Sequence, residues 1–243
     1  MSGAFAGQRV AVVGGTAGIG VAIARGAAAQ GAAVVAAGRR GEAAAAPGPA
    51  AVSSPAAVSS IETRAIDIAS EASIRDFFAA LGPVDHLVVT AAFVRPGPFR
   101  TGPLDDARAS FEGKFWSQYL CARHAEVRRS ILLFSGVFSR RPQPGMSIVS
   151  AVNGAVEALG RALAVELAPV RVNVMSPGLI QGTDAYAGMP EERRQVMLEG
   201  AAKRLPAGLV GDADSVAGPA LALMASPYAT GAILDIDGGG LLA

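Results

Sequence analysis

The residues with the clearest chemical purpose are glycines. Residues 10–20 read Val-Ala-Val-Val-Gly-Gly-Thr-Ala-Gly-Ile-Gly, an apolar run that ends in closely spaced glycines and passes into Val21, Ala22, Ile23 and Ala24. Strand, tight turn and helix start in one segment let backbone N–H groups close on a phosphate with no Cβ in the way. Gly14, Gly18 and Gly20, with Thr16 and Ile19 in the same turn, are therefore candidate contacts to a pyrophosphate. The spacing Gly-x-x-x-Gly-x-Gly departs from the commoner Gly-x-Gly-x-x-Gly dinucleotide fingerprint. A second candidate follows the next apolar run, residues 33–37, where the chain reads Gly38-Arg39-Arg40. In a dinucleotide fold an acidic residue here binds the ribose 2′-hydroxyl, whereas arginine suits a 2′-phosphate. Arg39 and Arg40 thus select NADP(H); the alternative is two solvated arginines at a turn. His86, His124 and Cys121 have no metal-ligand spacing, so no metal site is expected.

The elements that must position these residues alternate strand and helix. A helix is expected to about Gln30, and residues 41–60, rich in Ala, Pro, Ser and Gly, read as a loop with a weak helix. Strands are expected at 62–66, 84–90, 130–134, 170–175 and 232–236. Helices are expected at 70–81, with Ser70 as N-cap, and at 105–128, 148–167, 191–203 and 214–225. The pattern predicts one α/β domain over residues 1–243, with a mainly parallel sheet covered by helices on both faces. His86 falls inside a buried strand and reads as a packed histidine; His124 reads as surface or interface.

Composition narrows the class. The chain has 243 residues, 51% hydrophobic and 17% charged, so much of it is buried, some of it between subunits. A net charge of +1 with no basic run argues against nucleic acid as the main partner. No signal-like N-terminus and no unbroken membrane-length apolar segment is present, so a cytoplasmic protein is expected.

In this order the residues resemble the short-chain dehydrogenase/reductase family along nearly the whole chain, which implies a Rossmann-type three-layer sandwich with a mainly parallel seven-stranded sheet. The glycine turn is similar to that family's Thr-Gly-x-x-x-Gly-x-Gly, with Val13 in place of threonine. Asp67-Ile68 matches the pair that contacts adenine, and residues 171–178 match the strand and Pro177-Gly178 turn beside the nicotinamide. Thr230-Gly231 and Asp237-Gly238-Gly239 match its C-terminal pattern. The resemblance also implies cofactor contacts from Ala91 and Ile180, a substrate lid within about 179–211, and a homotetramer or homodimer built through the two long helices. Phe115, Trp116 and Tyr119 are then dimer or substrate contacts.

The catalytic positions depart from the family's serine, Tyr-x-x-x-Lys and helix asparagine. The resemblance places Val149 at the tyrosine, Asn153 at the lysine, Gly136 at the serine with Ser135 before it, and Lys114 at the helix asparagine. Lysine and asparagine are exchanged between two helices, which would keep one cation and one amide in one corner. Lys114 is the candidate source of positive charge, Ser135 a candidate hydrogen-bond partner for the substrate oxygen, and Tyr186 either a replacement acid or a plain lid aromatic. Thr90 and Ser139 are weaker candidates. Three functions stay open: an NADP(H)-dependent oxidoreductase acting on a small, fairly hydrophobic carbonyl, enone or imine; a non-redox cyclase or isomerase on the same scaffold; and a catalytically silent NADP-binding protein.

Overall fold

A computed structural model describes residues 3–39, 61–183 and 188–243. Arg40 and Tyr186 lie outside the described residues, as does the expected loop at 41–60.

Apolar runs that alternate with helices have no polar face to offer water, so they must be covered on both sides. Seven strands form, buried in the middle of the sheet and only partly covered at its edges, β3 and β7: β1 (Arg9–Val13), β2 (Ala33–Gly38), β3 (Ile61–Ala65), β4 (Val84–Val89), β5 (Val127–Phe134), β6 (Arg171–Pro177) and β7 (Ile233–Ile236). They form one sheet in the order β3-β2-β1-β4-β5-β6-β7, and every pairing is parallel. The helices are α1 (Gly18–Ala29), α2 (Glu71–Leu81), α3 (Leu104–Ser110), α4 (Ser117–His124), α5 (Ser147–Glu166), α6 (Glu191–Arg204) and α7 (Ala213–Ala225).

Alternate strand residues split between two cores. Val10, Val12, Val34 and Met175 pack with Ile23 and Ala27 of α1 and with Ala220 and Met224 of α7. Ala11, Val13, Leu87, Ile131 and Val174 pack on the other face with Ile74 and Phe78 of α2, Cys121 of α4 and Val156 of α5. Among the described residues α5 is the one helix long and apolar enough to cross a membrane, yet Val149, Val152, Val156 and Gly160 are buried in the fold.

The one long helix expected at 105–128 is corrected. It ends at His124, and β5 begins at Val127, three residues before the expected strand. Between α3 and α4 the chain forms a π-helical turn, Phe111–Trp116. Ser117 Oγ donates to the carbonyls of Gly113 and Lys114 at 3.1 and 3.2 Å, satisfying acceptors in the widened turn. Gly113 lets the 91–95 loop close: a Cβ there would stand 2.6 Å from Phe93 O.

Candidate active site

The C-terminal ends of parallel strands, where strand order reverses, form the crevice that such sheets use for ligands. Here it lies between β1 and β4. Gly14 N donates to Ala37 O at 2.8 Å, and Thr90 N and Ala91 N both donate to Val13 O, at 2.9 and 3.1 Å. The turn after β1 is thereby sewn to the ends of both neighbouring strands.

Two glycines in it have different causes. A Cβ on Gly20 would lie 2.0 Å from Gly14 O and 2.6 Å from Thr90 Oγ1, so Gly20 is a packing requirement of the turn. Gly18 has φ +51° and only Thr183 Cγ2, at 3.8 Å, within 4 Å of an added Cβ, so it faces open space. The N-terminus of α1 has no side-chain cap and no acidic residue in its first turn. By contrast, Ser70 caps α2 and Asp212 caps α7 with a full capping box. Free N–H groups, a glycine facing open space and no competing carboxylate fit a pyrophosphate.

The remaining candidate contacts line the same edge. Thr16 packs against Gly38, whose added Cβ would meet Thr16 Oγ1 at 2.2 Å. Arg39, just past β2, is exposed, and Ile19 is half-buried. Asp67 is exposed, with Oδ1 accepting from Ala69 N at 3.0 Å, beside half-buried Ile68. Gly178 N donates to Ile236 O at 2.9 Å, and buried Ile180 bridges to Gly211 at the base of the expected lid.

Lys114, on the π-helical turn, reaches the end of β5. Gln118 sets that approach: its Nε2 donates to Phe134 O at 3.0 Å while its Oε1 accepts from Phe134 N at 2.8 Å. Lys114 Nζ then donates to Asn153 Oδ1 at 2.7 Å and to Ser135 O at 2.8 Å. The two exchanged residues are thus hydrogen-bonded to each other. Asn153 Nδ2 donates to Gly136 O at 3.1 Å, and a Cβ on Gly136 would stand 3.0 Å from that nitrogen. A side chain at 136 would crowd the amide that Lys114 leans on.

Lys114 is 8% exposed and Asn153 2%. Burial pushes the Lys114 ammonium down from its ordinary value to about 8, with the charge of Glu157 opposing the fall. Ser135 is engaged through both its hydroxyl and its backbone carbonyl. Its hydroxyl donates to Glu157 Oε1 at 3.0 Å, so its proton is engaged behind the site, and it is the backbone carbonyl that meets Lys114. Ser139 Oγ also donates to Glu157 Oε1, at 2.6 Å, whereas Thr90 Oγ1 turns back to Val13 O. Val149, one helical turn before Asn153, is buried and offers no proton.

Glu157 was absent from the sequence candidates. Its signal was its place four residues after Asn153, on the same helix face. A second signal was composition: Lys114 and Lys203 are the only lysines in the chain. Among the described residues no cluster of His, Cys, Asp and Glu could hold a metal.

Relatives agree with this architecture. The family model described as enoyl-(acyl carrier protein) reductase matches residues 14–240. Short-chain dehydrogenase/reductase ucsE of an Acremonium species is 31% identical over 252 residues, covering 96% of this chain and 95% of that relative. Among solved structures, a small-chain dehydrogenase in complex with NADPH has a TM-score of 0.82 at 33% identity, over 97% of this chain and 99% of that one. The MalC reductase/Diels-Alderase from Malbranchea aurantiaca has a TM-score of 0.84 at 25% identity, over 100% of this chain and 99% of that one. The chain belongs to the short-chain dehydrogenase/reductase family, whose members named here are oxidoreductases.

Proposed function

We propose that the protein is an NADP(H)-dependent oxidoreductase that reduces a small, fairly hydrophobic carbonyl, enone or imine, with Lys114 as its proton donor. The observation that carries the reading is the buried Lys114 amine, held by Asn153 at 2.7 Å and Ser135 O at 2.8 Å at the C-terminal edge of the sheet. An ammonium brought down to about 8 by burial is matched to donating a proton near neutral pH.

The glycine turn from Gly14 to Gly20, with Thr16 and Ile19, would hold the pyrophosphate, and Arg39 with Arg40 the 2′-phosphate. Asp67, Ile68 and Ala91 would hold the adenine side, and Pro177, Gly178 and Ile180 the nicotinamide side. The bound cofactor supplies hydride. Lys114 donates its proton to the oxygen or nitrogen that gains charge, while Asn153 Oδ1 and Ser135 O keep the amine aimed. Val149 adds an apolar wall that limits water. Tyr186 remains a candidate lid residue.

NADPH is expected to bind more tightly than NADH, and Arg39→Ala with Arg40→Ala to lower that preference by about tenfold; unchanged ratios in both variants would remove the 2′-phosphate assignment. Nicotinamide absorbance with a panel of ketones, enones and cyclic imines then reads turnover. A non-redox cyclase is the second reading, favoured by the structural likeness to a reductase/Diels-Alderase. Tight NADPH binding with no oxidation of NADPH by any substrate on the panel would favour it. Trp116, 41% exposed and in ring contact with Phe115 and Tyr119, fits a homodimer or homotetramer through the long helices, which light scattering tests.

A further inference from the structure

We propose that Glu157 is a positioning residue whose carboxylate, fixed by Ser135, Ser139 and Arg140, keeps the Lys114 amine in its charged, proton-donating form. This rests on the reading of Lys114 given above and adds a second layer to it.

The direct partners of Lys114 Nζ, an amide oxygen and a peptide carbonyl, are both neutral. A buried ammonium with neutral partners alone would lose its proton readily. A carboxylate bonded directly to it would hold the proton too firmly for transfer near neutral pH. Glu157 takes the intermediate position. It is 6% exposed, stands one helical turn past Asn153, and its Oε1 accepts from Ser135 Oγ at 3.0 Å and Ser139 Oγ at 2.6 Å. Ser135 therefore links the two charges, giving its hydroxyl to Glu157 and its carbonyl to Lys114.

Charge from the other packed elements decides how much of that field reaches Lys114. Arg140 is the nearby competitor, but its contact with Glu157 is 3.4 Å, the longest in the cluster. Its guanidinium is instead held by Asp235 of β7, at 2.6 and 2.5 Å, and by Ser176 Oγ of β6 at 2.8 Å. Asp235 thus neutralises Arg140 and leaves the Glu157 charge opposite Lys114. The four groups form two pairs, one closely bonded and one separated by a serine.

The low lysine count makes the proposal directly measurable. With 13Cε,15Nζ-labelled lysine, the protein without cofactor or substrate gives two side-chain signals, and exposed Lys203 serves as the internal reference. Glu157→Gln keeps an oxygen acceptor for both serines and removes the charge. It is expected to lower the Lys114 midpoint by about one pH unit, with Lys203 unmoved. Glu157→Asp keeps the charge and is expected to shift the midpoint less than Gln does. Arg140→Met removes the competing cation and is expected to raise it, which also serves if Glu157→Gln does not fold. An unmoved Lys114 midpoint in the charge-removing variant, or equal shifts in Gln and Asp, overturns the proposal. Because the titration needs no turnover, failure of the catalytic reading shows separately, as full activity in Lys114→Met.

Discussion

Two buried bases stand at opposite ends of the same sheet. His86, in β4 near the N-terminal edge, has Nδ1 2.7 Å from Ser130 Oγ and Nε2 2.7 Å from Gln8 Oε1, with the Phe5 ring edge-on at 5.3 Å. Lys114, past the C-terminal edge, is also held by two neutral partners. Burial lowers both by about the same amount, with Arg171 adding to the effect at His86: His86 falls from 6.5 to about 4 and Lys114 from 10.5 to about 8. His86 is thus a neutral cross-strand brace at any ordinary pH. Lys114 stands within a unit of neutrality, where strand ends open onto the crevice. Each also feels a carboxylate that opposes the fall, Asp85 for His86 and Glu157 for Lys114, so what separates the two is the ordinary value each starts from and its place on the sheet.

The largest test of the contrast is Lys114→Met. Turnover of an accepted substrate is expected to fall by roughly 10²- to 10⁴-fold, the usual range for a lost general acid, with NADPH affinity retained in fluorescence titration. Retained turnover would place Lys114 beside His86 as a structural group.

The second concerns stability. His86 is depressed in the folded state, so between about 4 and its ordinary 6.5 the unfolded chain binds the extra proton. Its contribution is complete above pH 6.5 and is lost as pH falls through that window, by on the order of 3 kcal/mol. Urea unfolding at pH 7 and pH 4 reads this, and His86→Gln is expected to flatten that part of the profile.

A third outcome sharpens the Lys114 side. The rate of reduction should fall about tenfold per pH unit above about 8, as the ammonium deprotonates. A rate that stays flat to pH 10 would exclude it as donor. The smallest effect completes the comparison: His86→Gln, assayed at pH 7.5 where the protein is folded, should leave kcat/KM within about twofold. A large loss there would break the division between brace and donor.

Much of this was legible in the chain. A mainly parallel sheet followed from strands alternating with helical stretches, its seven-stranded form from the family resemblance, and the glycine turn from the spacing of Gly14, Gly18 and Gly20. The Lys114 and Asn153 exchange was legible only through the family resemblance, and the structure places the two in contact. Periodicity could not show the partners of His86, since Gln8 is 78 residues away and Ser130 is 44. Nor could it show that the Ser135 hydroxyl is committed to Glu157, a choice made by packing between β5 and α5. The break at Phe111–Trp116 was missed because a π turn keeps helical composition while adding one residue.

That added residue sets a phase. A π turn takes up its extra residue by widening, so the helix on either side keeps its facing; the same residues wound as ordinary α-helix, at about 100° per residue, would turn the two flanks against each other by that angle. The direction in which the proposed proton donor points is thus set by the count of residues in its helix.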